Sequence, residues 1–133
     1  MNDELLTIRQ MCDAFGVTPR TLRFYESKEL LDPKREGQRR LYTRRDRGRL
    51  TLILRAKRFG FSLEQIRQLL SLYDTDDGKE QQHREAYVIG RERLADMRRQ
   101  RADLDEAIAE LEQQLAWCEE KLAQFASAAQ GRQ

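Results

Sequence analysis

An apolar repeat in the C-terminal part of the chain sets the strongest limit on its fold. From Leu94 to Phe125, apolar side chains interrupted only by Arg101 recur at alternating intervals of three and four residues, and the same register extends back to Tyr87 without proline or a turn cluster. This spacing predicts one continuous helix with a coiled-coil seam. At 1.5 Å per residue, its roughly 39 residues span about 58 Å. The seam positions are Leu94, Met97, Arg101, Leu104, Ile108, Leu111, Leu115, Cys118, Leu122 and Phe125.

Such a helix is too long to bury its seam against residues 1–78, so a partner helix is required. The seam predicts a homodimer, and periodicity alone leaves parallel and antiparallel pairing open. We expect a dimerisation helix over 79–125 and a short flexible tail over 126–133. Arg101 is the polar seam position, which favours a role in setting register. The predicted dimer contacts are Leu94, Met97, Leu104, Ile108, Leu111, Leu115, Cys118 and Leu122.

Positive charge is concentrated upstream of this helix. Lys34–Arg58 contains 11 Lys and Arg against two Asp and Glu, a local charge of +9, whereas the whole chain carries only +2. The composition, 39% hydrophobic and 36% charged, suits a small core with a long exposed helix. A basic cluster of this kind indicates either a polyanion-binding surface or a solvated face.

Several classes of protein are not expected from this sequence. No apolar run approaches the ~20 residues of a membrane span, and no signal-peptide pattern is present, so we expect a cytoplasmic protein without membrane contact. Cys12 and Cys118 lie 106 positions apart and His83 is the single histidine. These residues form neither a metal-ligand pair nor a catalytic set. We expect no enzyme activity, no metal and no cofactor.

The N-terminal part has the local signals of two short helices. Thr7 and Gln10 are spaced as a capping box, and Gly16 stands where that helix is expected to end. Thr18 followed by Pro19 restarts a helix at once. Two short helices joined by a tight turn predict a helix-turn-helix.

A hairpin and two further helices are predicted to complete a domain over 1–78. Strands at Leu31–Lys34 and Arg39–Tyr42 fit around a turn and form a wing. Thr43 begins a third helix and Ser62 a fourth, which ends before the polar break at Asp74–Lys79. The expected core includes Leu22, Phe24, Leu30 and Leu31, with a stripe of Leu63, Ile66, Leu69, Leu70 and Tyr73 on the fourth helix.

The sequences LTIRQMCDAFGV, TPRTLRFYE, LLDPKREGQRRLY and RAKRFGFSLEQIRQLL, over about residues 5–73, resemble the MerR family of bacterial transcription regulators. The resemblance implies a mainly α fold, with a winged helix-turn-helix domain followed by a long helix that pairs as an antiparallel coiled coil. It implies a homodimer that binds double-stranded DNA at a promoter palindrome. Such a dimer distorts the spacer DNA and acts on RNA polymerase only indirectly, at the promoter.

The resemblance also implies individual DNA contacts. These are Arg20, Arg23 and Tyr25 on the second helix, Arg35, Arg39, Arg40 and Tyr42 on the wing, Lys57 and Arg58 in a second wing, and Thr7 at a helix N-terminus. At Glu29 the chain departs from the K-G-L-L run of many relatives. The segment RLTLILRAKRFGFSLEQIRQLLSLYD also resembles a short subclass associated with branched-chain amino acid and acyl-CoA degradation operons.

Two other functions remain open on the sequence alone. The long helix could be the active surface of a protein-interaction module, or the basic face could bind nucleic acid, including RNA, without sequence preference. Cys118 fits either a small apolar seam residue or a thiol sensor. The sequence identifies no effector and no operator, and it does not distinguish activation from repression.

Overall fold

The computed structural model describes residues 4–75 and 80–131 of the chain. It divides into two compact units, Met1–Arg93 and Leu94–Gln133. The architecture is mainly α-helical, as predicted. In chain order the elements are β1 (Leu6–Thr7), α1 (Ile8–Phe15), α2 (Pro19–Ser27), β2 (Lys34–Glu36), β3 (Arg39–Tyr42), α3 (Arg44–Arg58), α4 (Leu63–Thr75) and α5 (Glu80–Gln130).

The predicted helix-turn-helix forms from the local signals in its sequence. Thr7 Oγ1 accepts a hydrogen bond from the Gln10 amide at 3.2 Å, and Gln10 Oε1 accepts one from the Thr7 amide at 2.8 Å. Gly16 ends α1 in the left-handed conformation at φ 66°. Thr18 then caps α2, whose first residue is Pro19. The capping predictions for both helices are therefore confirmed.

Asp46 ties the wing to the start of α3. Its Oδ2 accepts hydrogen bonds from the amide and hydroxyl of Thr43, both at 3.2 Å, which completes a capping box. Its Oδ1 accepts a third hydrogen bond, from the Asp32 amide at 3.1 Å. Because the carboxylate is only 3% exposed, these donors satisfy a buried charge and fix the chain that enters β2.

The strands form a three-stranded antiparallel sheet in the order β1-β3-β2. Glu36 pairs with Arg39, so the hairpin turns through the two residues Gly37 and Gln38. The prediction that the first wing strand begins at Leu31 is wrong, because Leu31 is buried in the core and β2 begins after Pro33. The short strand β1 was not predicted.

The core lies among α1, α2, β3, α3 and α4. The prediction that Phe24 belongs to the core is wrong, since 45% of Phe24 is exposed and Tyr25 is buried in its place. The α4 stripe is confirmed only in part, because Leu63 is 37% exposed and Tyr73 is 45% exposed. The fully buried large side chains are Tyr42, Met11, Leu22, Leu30, Leu31, Leu50, Ile53 and Leu70.

The end of α2 explains how the chain accommodates Glu29. The Leu30 amide donates to the Tyr25 carbonyl at 2.9 Å, and the Glu29 amide donates to the Glu26 carbonyl at 3.0 Å. This is the Schellman motif, which needs a left-handed residue where glycine is preferred. Glu29 supplies it at φ 61°, so the turn forms at the cost of some backbone strain.

The long helix α5 has 51 residues, from Glu80 to Gln130. It extends beyond Tyr87 and Phe125, the ends of the periodic segment, and continues past residue 125, where the predicted dimerisation helix ended. None of its described residues is buried. The seam side chains are therefore exposed along the single chain, for example Leu104 at 60% and Leu111 at 60%. Residues 76–79 of the predicted polar break and residues 132–133 of the predicted tail lie outside the described residues. Dimerisation and the domain boundaries stay predictions.

Candidate nucleic-acid interface

The outward face of α2 presents two cations and one aromatic ring. Arg20, Arg23 and Phe24 are exposed, while Leu22 and Tyr25 point into the core. Lys28 at the helix end lies over the Phe24 ring, with Nζ 5.7 Å from the ring centroid. The exposed arginines match the positions predicted to contact DNA, and arginine suits both guanine edges and phosphate oxygens.

Glu26 joins α2 to the wing through two of the predicted contact residues. Its Oε2 lies 2.7 Å from Arg40 Nε, and its Oε1 pairs with Arg35 Nη2. The Glu26 side chain is 18% exposed, whereas Arg35 is 47% and Arg40 25% exposed. Both guanidinium groups keep further N–H donors, because each has five. The carboxylate therefore fixes the positions of two wing cations.

The two tyrosines predicted as DNA contacts lie in the core. Tyr25 is 3% exposed and Tyr42 is 0% exposed, so neither side chain is available at the surface. Among the described residues the Tyr42 hydroxyl has no hydrogen-bond partner. Burial raises the pKa of Tyr42 to about 12, with Glu26 adding to the rise and Arg40 opposing it. Tyr42 is a neutral core residue at physiological pH.

The end of α3 forms a second basic corner. Arg55, Lys57 and Arg58 lie in its last turn, where cations are favoured by the helix dipole. Gly60 then turns the chain at φ 82°. Arg93 of α5 donates from Nε to the Phe59 carbonyl at 2.6 Å and so caps this helix end. The exposed Lys57 and Arg58 agree in placement with the predicted second wing.

The remaining predicted contacts are Thr7 and Arg39. Thr7 is half-buried, and its side chain is engaged in the α1 capping box. Arg39 is exposed on β3 next to Arg40. The structure thus places Arg20, Arg23, Arg39, Lys57 and Arg58 at the surface on three separate elements.

Sequence reasoning missed Glu26 and Arg93, which position the surface without belonging to any motif. Their partners are 9, 14 and 34 residues away in sequence. The one signal in the sequence that pointed to Glu26 was its acidic side chain within a segment rich in cations. No comparable signal identified Arg93.

Neither metal nor membrane features appear in the part of the chain that the structure describes. No group of three or more His, Cys, Asp and Glu side chains could hold a metal ion there. No helix in residues 4–75 and 80–131 is long and apolar enough to cross a bilayer. Cys118 is exposed, while Cys12 is partly buried, and this burial raises the pKa of its thiol.

The sequence matches two family models, which between them include the residues of this surface. The first, described as MerR HTH family regulatory protein, covers residues 6–72, which is 67 of the 133 residues. The second, described as MerR, DNA binding, covers residues 47–114. The chain belongs to the MerR family.

Curated relatives of this MerR-family chain are transcription regulators. It is 43% identical over 67 residues to the HTH-type transcriptional regulator ZntR of Escherichia coli, a match to 49% of this chain and 48% of ZntR. It is 40% identical over 99 residues to the mercuric resistance operon regulatory protein of Serratia marcescens, or 73% of this chain and 65% of that protein. The matched region thus spans about half of ZntR.

Solved structures share the MerR-type fold. The regulator PbrR691 of Ralstonia metallidurans, in complex with lead(II), has a TM-score of 0.66 at 28% identity and covers 80% of this chain and 82% of its own. MtaN of Bacillus subtilis has a TM-score of 0.63 at 27% identity, covering 83% and 97%. HiNmlR bound to promoter DNA has a TM-score of 0.60 at 23% identity, covering 79% of each chain. The proposed subclass association stays a prediction.

Proposed function

We propose that this MerR-family chain is a sequence-specific DNA-binding transcription regulator that acts as a homodimer on a promoter palindrome. The observation that carries the proposal is the joining of the exposed α2 face to the wing through Glu26. A solvated basic face has no need of a fixed geometry. A surface that must fit both a groove and the flanking backbone does, because phosphate contacts set register while base contacts set specificity.

The cations divide into two roles by their positions. Arg20 and Arg23, both exposed on α2, would enter the major groove, where arginine can bind guanine bidentately. Arg39 on the wing, with Lys57 and Arg58 at the end of α3, would contact phosphates on either side of that groove. Contacts on both sides hold a bent duplex, so part of the specificity comes from DNA deformability.

The second part of the proposal is the homodimer. The exposed seam of α5 includes Ile108 at 46% and Leu115 at 54%, apolar area that a second α5 would cover. A two-fold dimer matches the symmetry of a palindrome. Distortion of the spacer would then influence RNA polymerase indirectly, through promoter geometry. A protein that acts on bacterial promoter DNA works in the cytoplasm.

Fluorescence anisotropy tests the DNA-binding part. A palindromic duplex, selected by the protein from random-sequence DNA, is compared with a scrambled duplex over a range of salt concentrations. We expect tighter binding to the palindrome and a loss of that preference in Arg23→Ala. Arg99→Ala, which removes an arginine from the α5 surface, serves as the matched control and should keep the preference. Equal affinity for both duplexes with parallel salt dependence would instead indicate nonspecific binding.

Light scattering tests the dimer part. Leu111→Asp places a carboxylate in the seam, so we expect dissociation or unfolding, and circular dichroism distinguishes the two. Gln113→Asp introduces the same side chain outside the seam and should remain dimeric. A persistent Leu111→Asp dimer contradicts the seam. A dimer that binds neither duplex favours the protein-interaction module.

A further inference from the structure

A cleft that opens to solvent lies between α4 and the first turns of α5. All of its lining residues belong to the unit Met1–Arg93. Its volume is about 690 Å³, which falls in the range of about 300–1,000 Å³ typical of small-molecule sites. Its walls include Arg67, Gln68 and Leu72 of α4 and Arg84, Val88 and Ile89 of α5. The cleft therefore combines two arginines with an apolar wall.

The apolar wall is not explained by the seam of α5. Counted back by one heptad from Leu94, the seam register places Tyr87 at an a position, so Val88 and Ile89 fall at b and c, outside the seam. Val88 is 52% exposed. A second helix packed on the seam would not cover this side of α5. The dimer of the proposed function therefore leaves the cleft open.

The two arginines of the cleft differ in how their charge is matched. Arg84 Nη2 lies 3.0 Å from Glu80 Oε1, one turn away on α5. Arg67 Nε lies 3.9 Å from Glu64 Oε2, which is too far for a hydrogen bond, and the Glu64 side chain is 73% exposed to solvent. Arg67 is therefore the cation that can still bind an incoming carboxylate bidentately.

Arg67 also holds the end of α2. Its Nη2 donates to the Lys28 carbonyl at 2.8 Å, across 39 residues of sequence. Lys28 is the C-cap of α2, the helix that carries Arg20 and Arg23. One guanidinium group thus contacts both the cleft and the helix of the proposed groove contacts.

A second arginine fixes the same turn from α3. Arg49 Nε donates to the Leu30 carbonyl at 2.8 Å. The left-handed residue Glu29 lies between the two carbonyls that Arg67 and Arg49 hold. Loss of the Arg67 hydrogen bond would therefore loosen the end of α2 without releasing it.

We propose that the cleft binds a small amphipathic anion, a carboxylate with a short apolar tail, and that Arg67 couples its occupancy to DNA binding. The tail covers Leu72, Val88 and Ile89, and the carboxylate takes N–H donors of Arg67. A charged acceptor binds guanidinium more strongly than a neutral carbonyl does, so the bound anion weakens the contact with Lys28. The preference for the palindrome then falls. The site goes beyond the proposed function, while its effect on DNA rests on it.

Isothermal titration calorimetry of the full chain without DNA tests the site. The probes are octanoate, octanol with the same tail and no charge, and octylammonium with the opposite charge. We expect saturable binding of octanoate, about tenfold weaker binding of octanol, and no binding of octylammonium. Octanol binding as tight as octanoate, or octylammonium binding instead of it, overturns the assignment of an anion.

Three variants assign the binding to the cleft. Arg67→Ala should weaken octanoate binding about tenfold. Val88→Glu places a carboxylate in the apolar wall and should also weaken it, while leaving the hydrogen bond between Arg67 and Lys28 in place. Arg91→Ala removes an exposed arginine of α5 outside the cleft and serves as the matched control. Circular dichroism checks that each variant is folded. Unchanged octanoate binding in folded Arg67→Ala and Val88→Glu overturns the site.

Fluorescence anisotropy tests the coupling, with ionic strength held constant because salt alone weakens DNA binding. Saturating octanoate should lower the affinity for the palindrome about fivefold in the wild type and in Arg91→Ala. Arg67→Ala should not respond to octanoate, whatever its own affinity for DNA. A purely structural role of Arg67 would change that affinity without removing a response to octanoate.

The outcomes separate this inference from the proposed function. A wild-type chain that prefers the palindrome but does not bind octanoate refutes the site and leaves the proposed function standing. Octanoate binding without a change in DNA affinity refutes the coupling through Arg67. A chain that binds octanoate at the cleft but prefers neither duplex supports the site and refutes the proposed function.

Discussion

Glu26 of α2 accepts a hydrogen bond from Arg40 of β3, with Oε2 2.7 Å from Nε, and its second oxygen pairs with Arg35 of β2. One carboxylate thus connects the helix that carries Arg20 and Arg23 to both strands of the wing. It also lowers the local positive charge next to the proposed DNA surface. Glu26 therefore has two effects on binding that act in opposite directions.

Glu26→Gln separates these effects. The amide keeps the size of the side chain but loses the charge that holds two guanidinium groups. We expect nonspecific affinity to rise, because one negative charge is removed near the phosphates, and preference for the palindrome to fall, because the wing is less fixed. Anisotropy against palindromic and scrambled duplexes measures both.

Glu36→Gln supplies the control for this substitution. It removes the same charge from the exposed wing strand β2, so it should raise nonspecific affinity while keeping the preference for the palindrome. If Glu26→Gln and Glu36→Gln behave alike, Glu26 acts only through its charge and the wing does not depend on it for position.

Glu29→Gly should stabilise the fold. Glu29 occupies the left-handed position of the Schellman motif at φ 61°, the position that Gly60 occupies at φ 82° after α3. A residue with a side chain costs roughly 1–2 kcal/mol in this conformation, partly offset by the greater freedom of glycine when unfolded. We expect the free energy of unfolding to increase by about 1 kcal/mol in urea denaturation.

Lys28→Gly is the comparison for that change. Lys28 precedes Glu29 at φ −93°, which residues with a Cβ adopt readily, so glycine there should lower stability. A loss of stability in Glu29→Gly as large as in Lys28→Gly would show that the glutamate side chain matters more than its backbone conformation.

The helices were predictable because their signals are local. The helix starts at Thr7 and Ser62 and the glycine end of α1 each depend on residues within three or four positions. The hairpin was harder, since a continuous apolar run at Leu30 and Leu31 is compatible with a strand and with a buried connection. In the folded protein these two leucines pack in the core as a buried connection, and the strand β2 begins only after Pro33.

The candidate site was predictable in its charge but not in its geometry. Phe24 and Tyr25 are consecutive in α2 and point about 100° apart, so a small error in helix phase exchanges the core residue and the surface residue. The contacts of Glu26 and Arg93 join separate elements, and such contacts produce no periodic pattern in the sequence. The cations predicted on α2, the wing and the end of α3 are at least partly exposed in the structure. Their positions relative to one another could be described only once the fold was known.

Tyr42→Phe should make the protein less sensitive to alkaline pH. The ordinary pKa of tyrosine is near 10, while burial raises the pKa of Tyr42 to about 12. Between these values the unfolded chain has released a proton that the folded chain still holds, so stability falls as pH rises. The loss attributable to Tyr42 is on the order of 2 kcal/mol by pH 12, and thermal unfolding of both proteins across this range measures it.

The same variant tests the position of Tyr42 at neutral pH. Since its buried hydroxyl lacks a protein partner among the described residues, Tyr42→Phe should be neutral or stabilising by about 1 kcal/mol. DNA affinity should be unchanged. Weaker DNA binding would mean that the hydroxyl reaches a phosphate in the complex and that the wing opens to allow it.

Arg93→Ala should weaken DNA binding although Arg93 is not one of the proposed DNA contacts. Arg93 donates to the Phe59 carbonyl at 2.6 Å, directly after the turn of α3 that carries Lys57 and Arg58. Without this hydrogen bond the end of α3 loses a charged cap, at a cost of about 1–2 kcal/mol. The two cations then lose a fixed position, so we expect a severalfold lower affinity by anisotropy and unchanged dimer mass by light scattering. Arg93→Lys keeps the charge but not the guanidinium geometry and should recover only part of the affinity, whereas full recovery would assign the effect to charge alone.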